Sequence, residues 1–235
     1  YNGSAWTEVN DLQTARSQLA GAGTNTAALA FGGDNPTRTE TEIWNGTNWT
    51  EVNNLGTGRY LLAGCGTNTA ALGFGGYAPG APTVNTESWN GTNWTEVNNL
   101  NTNRYNLSGA GTNTSAIAIG GTPAPTGNTE LWNGTNWTVV NNLNTARQAG
   151  TAAGVSNTSA LFFSGYDPSP PAGGTAKTES WNGTNWTETG DLNINRRYMA
   201  GAGTQTLALG FGGGPSISAA TEEFSTTTAI GAWST

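Results

Sequence analysis

Residues 16–33 read RSQLAGAGTNTAALAFGG, and residues 41–55 read TEIWNGTNWTEVNNL. Close copies of this pair of segments follow one another along the chain, each beginning with an arginine. The anchoring arginines are 43, 45, 43 and 49 residues apart, and they are Arg16, Arg59, Arg104, Arg147 and Arg196. A unit of this length is one supersecondary motif, too small to bury a core alone, so the five copies must pack against one another.

The first copy predicts four short antiparallel strands, a to d. Residues 16–23 form strand a, a turn at residues 24–26 follows, and the apolar run Ala27–Phe31 forms strand b. Residues 42–44 form strand c, and Trp49–Val52 forms strand d after an Asn-Gly turn, which is a strong hairpin signal. No segment has helical periodicity, so the chain is predicted to be all-β.

Two features recur at fixed places in these units. A double glycine ends strand b at Gly32-Gly33, Gly75-Gly76, Gly120-Gly121 and Gly212-Gly213. Two tryptophans flank the c–d turn in the pairs Trp44/Trp49, Trp89/Trp94, Trp132/Trp137 and Trp181/Trp186. This pattern resembles the Kelch repeat over nearly the whole chain, with Ser164-Gly165 replacing the double glycine once and Trp standing where Kelch blades usually have Tyr. The resemblance implies a β-propeller.

We therefore predict a five-bladed β-propeller of four-stranded antiparallel blades, in one domain spanning residues 1–235. The ends determine how the ring closes. Residues 1–6 match the W-N-G-T-N-W turn closely, whereas residues 224–233 are longer and looser. We expect residues 6–10 to supply strand d of the fifth blade, beside residues 222–224, which removes the open sheet edge. Residues 227–235 would then be a spare tail.

Composition excludes several classes of function. The formal charge of −7, with the anchoring arginines spread one per repeat, argues against a nucleic-acid partner. No apolar run approaches the roughly 20 residues that a membrane-spanning helix needs, so no membrane insertion is expected. Cys65 is the only cysteine and stands where other copies have alanine, which predicts a small buried hydrophobe.

Histidine is absent, and the chain is predicted not to be an enzyme. Triad hydrolases, histidine-ligated metal sites and most acid–base schemes lose their usual principal residue. Some Kelch-like propellers are copper oxidases similar to galactose oxidase, but their metal needs histidine ligands, so that activity is not carried over. We expect no cofactor and no metal site.

The charged residues recur at equivalent positions, which is typical of architecture rather than of one active site. We predict that each anchoring arginine pairs with a glutamate at the start of strand c, in the same or the neighbouring blade, and that the pairs form a ring of structural salt bridges. The alternative is a ring of ligand-binding arginines. The glutamates are Glu42, Glu87, Glu130, Glu179 and Glu222.

The tryptophans and the G-A-G-T turns have two interpretations each. Aromatic faces can stack on sugars, but the Kelch-like positions favour packing between adjacent blades. The G-A-G-T segments could suggest a phosphate loop, but each recurs in a hairpin and no helix follows it. We expect both features to be structural.

The b–c loops differ in length and content, whereas the other turns are nearly constant. These loops are residues 34–39, 77–85, 122–128, 166–177 and 214–220. Alternating strands place all five on one face, where a rigid scaffold could present recognition residues; neutral drift is the alternative. The aromatic and charged candidates are Asp34, Arg38, Tyr77, Tyr166, Asp167 and Lys177.

We expect a non-enzymatic binding or structural module, extracellular or on a virion surface. Its Asn/Thr/Gly-rich repeats are similar in style to Kelch-like proteins of marine bacteriophages, which implies recognition of a surface receptor or partner protein through the b–c loop face. The alternative is a multivalent lectin with repeated sugar sites between blades. A third possibility is a structural spacer within a larger assembly. The expected partner is a protein or a cell-surface glycan.

Overall fold

The structure is a computed structural model, and it describes residues 1, 3–34, 36–169, 173–226 and 231–234. Within these ranges every regular element is a β-strand, and no helix is present that could cross a membrane. Among the described residues the strands form five four-stranded antiparallel sheets, each with the spatial order a-b-c-d, and two further two-stranded sheets within b–c loops. The chain is therefore an all-β, five-bladed β-propeller.

The strands follow the repeats in sequence order. Blade 1 contains β1 (Ala20–Thr24), β2 (Ala27–Phe31), β3 (Thr41–Trp44) and β4 (Trp49–Val52). Blade 2 contains β5 (Ala63–Thr67), β6 (Ala70–Phe74), the loop strands β7 (Tyr77–Ala78) and β8 (Ala81–Pro82), β9 (Thr86–Trp89) and β10 (Trp94–Val97). Blade 3 contains β11 (Ser108–Gly111), β12 (Ala116–Ile119), β13 (Thr129–Trp132) and β14 (Trp137–Val140).

The last two blades continue the series. Blade 4 contains β15 (Thr151–Ser156), β16 (Ser159–Phe163), the loop strands β17 (Tyr166–Asp167) and β18 (Gly173–Gly174), β19 (Thr178–Trp181) and β20 (Trp186–Glu188). Blade 5 contains β21 (Ala200–Gly203), β22 (Leu207–Phe211), β23 (Thr221–Ser225) and β24 (Ala232–Ser234).

The c–d hairpins show how the repeated sequence directs local structure. In blade 1 Trp44 lies opposite Trp49, so the connection is the four-residue loop 45–48. The side chain of Asn45 accepts hydrogen bonds from the backbone N–H groups of Thr47 and Asn48, both at 2.9 Å. Gly46 has a φ of 92°, a conformation that glycine adopts without strain. The N-G-T-N sequence therefore specifies this turn.

Strand a begins later than the sequence suggested. β1 starts at Ala20, whereas the segment assigned to strand a starts at Arg16. The cause is Gln18, whose φ of 55° interrupts the extended backbone between the arginine and the strand. The equivalent residue of every other blade has the same left-handed conformation. Residues 16–19 and their counterparts are therefore connecting segments before strand a, at one end of the propeller, rather than part of that strand.

The core lies between blades rather than within them. Between blades 2 and 3, for example, Leu72 and Phe74 pack with Trp132 and Trp137. The rings of Phe74 and Trp137 are 4.8 Å apart, and the indole N–H of Trp137 donates to Thr86 Oγ1 at 3.1 Å. Cys65 lies in this cluster, where burial raises the pKa of its thiol to about 12. The tryptophans thus pack between blades, as their spacing predicts.

The fifth blade is completed by the C-terminal end of the chain, not by the predicted N-terminal segment. β24 pairs with β23, with Trp233 opposite Phe224. Trp233 stacks on Phe163 of blade 4 at 4.6 Å and donates to Thr178 Oγ1 at 3.1 Å, the two contacts that Trp94 and Trp137 also make to the blades before them. Of the predicted spare tail 227–235, residues 232–234 therefore form the outer strand of the blade, and residues 227–230 and 235 lie outside the described ranges.

Candidate functional site

The structure brings each predicted arginine to the predicted glutamate of its own blade. The two side chains are separated by 2.5 Å in Arg16–Glu42, 3.0 Å in Arg59–Glu87, 2.9 Å in Arg104–Glu130 and 2.8 Å in Arg147–Glu179, and Arg196 contacts Glu222 in the same way. All ten side chains are almost completely buried.

The blade 3 pair shows what these charges do. Arg104 Nη1 donates to the carbonyl oxygens of Gly120 and Asn128 at 2.7 and 2.9 Å. Glu130 accepts a bond from the backbone N–H of Asn101, at 2.8 Å, in the linker that enters the blade. Burial lowers the pKa of Arg104, and the charge of Glu130 opposes that shift. The pair therefore joins a linker, a loop and two strands, and it exposes no guanidinium surface to a ligand.

The tryptophans of strand c are also inaccessible. Trp89 and Trp181 are 0% exposed and Trp132 is 2% exposed. Their indole N–H groups donate to backbone oxygens of the a–b turns, as Trp89 does to Asn68 at 3.0 Å. A sugar cannot stack on a ring face that has no exposed area, so these residues provide no repeated carbohydrate platform.

The variable residues meet at one end of the central channel. In each repeat the second residue after the anchoring arginine adopts a left-handed φ between 52° and 56°. We call these five residues the mouth ring: Gln18, Leu61, Asn106, Ala149 and Tyr198. Their backbones are linked in series, because Leu61 N donates to Gln18 O at 2.9 Å, Asn106 N to Leu61 O at 3.0 Å, Ala149 N to Asn106 O at 2.9 Å and Tyr198 N to Ala149 O at 2.8 Å. They line a cavity of about 360 Å³.

The mouth ring is continuous with the b–c loops. The first residue after each anchoring arginine forms a β-bridge with the first residue of the loop in the same blade. These bridges are Ser17–Asp34, Tyr60–Tyr77, Tyr105–Thr122, Gln148–Tyr166 and Arg197–Gly214. We call the surface formed by the mouth ring and these ten bridged residues the mouth face. The repeats differ from one another at most of its positions.

The six predicted loop residues fall into three groups on this side of the molecule. Asp34 accepts a hydrogen bond from Ser17 Oγ at 2.5 Å, and Arg38 pairs with Glu40 at 2.9 Å. The remaining four lie in other blades, so the structure does not bring all six candidates into one contact group.

Tyr77 belongs to an aromatic group that spans two blades. Its ring lies 5.4 Å from that of Tyr60 and 5.2 Å from that of Tyr105, the latter edge-to-face. All three tyrosines are partly exposed. Aromatic rings that remain accessible beside a cavity are frequent contact residues in binding sites.

Tyr166, Asp167 and Lys177 belong to the blade 4 loop. Lys177 Nζ lies 3.2 Å from Asp167 Oδ2, and Ser169 N donates to Asp167 Oδ1 at 2.8 Å. Burial opposes ionisation of Asp167, but these bonds outweigh it, so the pKa of Asp167 lies below its usual value. This loop therefore carries a fixed carboxylate and a partly exposed ammonium group.

Arg197 provides the most distinctive charge of the mouth face. Its guanidinium lies 5.3 Å from the ring of Tyr166 and 5.7 Å from that of Tyr198. Among the described residues it is the one arginine or lysine that pairs with no carboxylate. Tyr198 is 57% exposed, so this cation–aromatic group is accessible.

Sequence reasoning missed the residues that follow the anchoring arginines, including Tyr60, Tyr105, Arg197 and Tyr198. The signal was present, because two positions of the repeat that begins R-x-x-L are variable while their neighbours are nearly constant. They were missed because the sequence pattern assigned them to strand a rather than to a loop.

No group of three or more His, Cys, Asp or Glu side chains in the described ranges is placed to hold a metal ion. No protein-family model and no curated protein matches the sequence. A function can therefore be inferred only from the residues of the chain itself.

Proposed function

We propose that the chain is a non-enzymatic recognition module that binds a surface receptor, either a partner protein or a cell-surface glycan, through the mouth face. One observation carries this proposal: most positions at which the repeats differ lie together around one end of the channel, on a scaffold of nearly constant residues. A rigid framework that carries variable residues on one face is the usual arrangement of a recognition surface.

The chemistry of the mouth face supports binding rather than catalysis. Tyrosine and arginine are the residue types that most often dominate binding energies, and Tyr60, Tyr77, Tyr105 and Arg197 are available there. The recurring carboxylates that could serve as acids or bases are instead paired inside the blades.

The proposal includes a Kelch-type identity for the repeats and a location outside the cell or on a virion surface. The double glycines and paired tryptophans support the first part. The second rests on the surface composition, which is poor in charge and rich in Asn, Thr and Gly, and on its similarity in style to Kelch-like bacteriophage proteins. Attachment of the chain to a larger assembly is consistent with this proposed location.

The test is binding of the purified chain to a panel of glycans and bacterial envelope polysaccharides. We expect a Tyr77→Ala/Arg197→Ala variant to bind at least about tenfold more weakly, equivalent to about 1.4 kcal/mol, because both side chains lie on the mouth face. The matched control is Thr92→Ala/Val155→Ala, which alters exposed residues on the opposite face. Unchanged thermal unfolding of both variants excludes a folding defect.

A second variant separates the proposal from the lectin alternative. This variant has Gly/Ser linkers in place of the five b–c loops and alanine at Tyr60, Tyr105, Arg197 and Tyr198, and it should not bind if the mouth face is the contact surface. Undiminished binding would contradict the proposal and would indicate repeated sites built from the Asn/Thr turns.

A further inference from the structure

Four of the five blade boundaries are sealed by the same backbone hydrogen bonds. The backbone N–H of a linker leucine donates to a carbonyl oxygen in the b–c loop of the preceding blade. These bonds are Leu55–Thr39, Leu100–Val84, Leu143–Gly127 and Leu192–Ala176. The backbone N–H of the glycine that ends each strand-b motif donates to the backbone carbonyl oxygen of the next anchoring arginine. These bonds are Gly33–Arg59, Gly76–Arg104, Gly121–Arg147 and Gly165–Arg196. These bonds connect blade 1 to 2, 2 to 3, 3 to 4 and 4 to 5.

The boundary between blade 5 and blade 1, which we call the seam, has none of these bonds among the described residues. Leu12 and Gly213 occupy the corresponding positions, yet neither N–H makes the equivalent bond. The mouth ring stops at the same place, because Gln18 N does not donate to Tyr198 O. The hydrophobic clusters follow this pattern, with one at each of the other four boundaries in the described chain.

The seam also exposes apolar surface that is buried elsewhere. Phe31, Phe74 and Phe163, at the end of strand b, are 0% exposed, whereas Phe211 is partly exposed. On the other side, Trp49 stacks on no ring among the described residues of blade 5. A cavity of about 480 Å³ lies here, lined by residues that include Leu12, Leu19, Trp49 and Ala200.

Trp6 occupies the strand-d position of a blade at this seam. Its ring lies 4.8 Å from Phe211 at an angle of 57°, and Trp94 lies 4.8 Å from Phe31 at 57° across the sealed boundary of blades 1 and 2. Tyr1 lies 5.3 Å from Trp6, close to the 5.5 Å of the Trp44–Trp49 pair. The contact to blade 5 is therefore that of an adjacent blade.

The residues after Trp6 make the matching contacts to blade 1. Asn10 Nδ2 donates to Thr47 O at 2.9 Å, and Asn53 Nδ2 donates to Thr92 O at 3.1 Å in the next boundary. Gln13 N donates to Glu42 at 2.7 Å, as Gly56 N does to Glu87. Residues 6–13 thus lie as a strand d and its linker, yet residues 6–9 pair with no strand in the described chain.

We propose that the seam binds strands a, b and c of one further repeat of this sequence, supplied by another polypeptide segment. Residues 6–9 would form strand d of the resulting shared blade. Addition of strands to an unpaired segment supplies backbone hydrogen bonds, and the side chains of the incoming repeat supply specificity. The proposal is independent of what the mouth face binds.

The seam specifies the residues that the incoming segment must carry. A glycine in its strand a is needed against Phe211, because a Cβ at Gly64 would lie only 2.5 Å from Phe31 Cζ at the equivalent boundary. A phenylalanine at the end of its strand b would cover Trp49. A threonine at the start of its strand c would accept the indole N–H of Trp49, as Thr41 accepts that of Trp94. Residues 56–89 contain all three.

The first experiment adds a synthetic copy of residues 56–89 to the intact chain and measures binding by calorimetry and amide hydrogen exchange. We expect one site per chain, with slower exchange at Gln18 and Gly213. A Gly64→Val peptide should bind at least about tenfold more weakly because its side chain meets Phe211. Equal binding of this peptide or of a scrambled one would overturn the proposal, and so would self-association of the chain that covers the seam without any peptide.

The second experiment remains decisive if the free peptide aggregates. The same segment, without its last tryptophan, is fused before Tyr1, which then takes the place of that tryptophan. We expect the melting temperature to rise by at least about 5 °C over a fusion with the scrambled segment, because the added strands seal both sides of the seam. Equal melting temperatures would overturn the proposal.

Discussion

At the residue scale, the arginine–glutamate pairs are buried, and the carboxylate of the glutamate accepts hydrogen bonds at both oxygens, as in the blade 3 pair. Glu130 is 0% exposed and accepts bonds from Arg104, from the backbone of Asn101 and from the Asn101 side chain. Removing one member of such a pair leaves a buried charge without a counter-charge, which costs far more than the pair contributes. The recurring charges therefore make the fold sensitive to single substitutions.

We expect Glu130→Ala to lower the free energy of unfolding by about 3–5 kcal/mol, because Arg104 remains buried and uncompensated. Denaturant unfolding measures the effect. Glu40→Ala provides the matched control, since Glu40 and Arg38 are both 23% exposed and such pairs contribute about 1 kcal/mol or less. Similar losses for the two variants would show that burial of the charge is not the cause.

The sequence predicted these pairs because the charges recur at one position per repeat. It could not predict the left-handed conformation that joins the mouth-ring residues to one another. A left-handed φ at Leu61 or Tyr198 leaves no trace in residue type, since neither is glycine or asparagine. The conformation follows from the hydrogen bonds to neighbouring blades, which depend on tertiary structure.

At the element scale, strand a carries glycine where the neighbouring blade approaches. A Cβ on Gly109 would lie 2.5 Å from Phe74 Cζ, and one on Gly201 would lie 2.7 Å from Phe163 Cζ. Gly21 is the equivalent residue at the seam, and its Cβ would meet only Leu29 O of the same blade, at 3.3 Å. The repeated glycine thus serves the contact between blades.

We expect Gly109→Ala to destabilise the protein by about 1–3 kcal/mol through overpacking, whereas Gly21→Ala changes stability by about 0.5 kcal/mol or less. Both glycines lie at the same register position of strand a, so strand propensity is matched. Equal destabilisation in urea would mean that blade 5 closes directly onto blade 1 in solution.

At the scale of the whole molecule, the two ends of the chain contribute unequally. Trp233 is 7% exposed and contacts both Phe163 and Phe224, whereas Trp6 is 54% exposed and stacks on Phe211. The blade count followed from the repeat alone. The closing strand did not, because the irregular spacing between Phe224 and Trp233 hides a contact that only packing identifies.

We expect Trp233→Ala to lower the free energy of unfolding by about 3–5 kcal/mol and Trp6→Ala by about 1 kcal/mol. The difference reflects the area that each indole buries, and thermal and denaturant unfolding both measure it. A larger effect of Trp6→Ala would restore the N-terminal segment as the strand that completes blade 5.

The mouth ring has a consequence for how this protein can diversify. Its members are joined through backbone N–H and carbonyl groups, so the scaffold does not depend on which side chains they carry. Each left-handed position still disfavours valine, isoleucine and threonine, whose branched Cβ fits that conformation poorly. New binding specificities can therefore arise by substitution of the mouth-ring side chains on an unchanged backbone, with residue types that are unbranched at Cβ favoured at these positions.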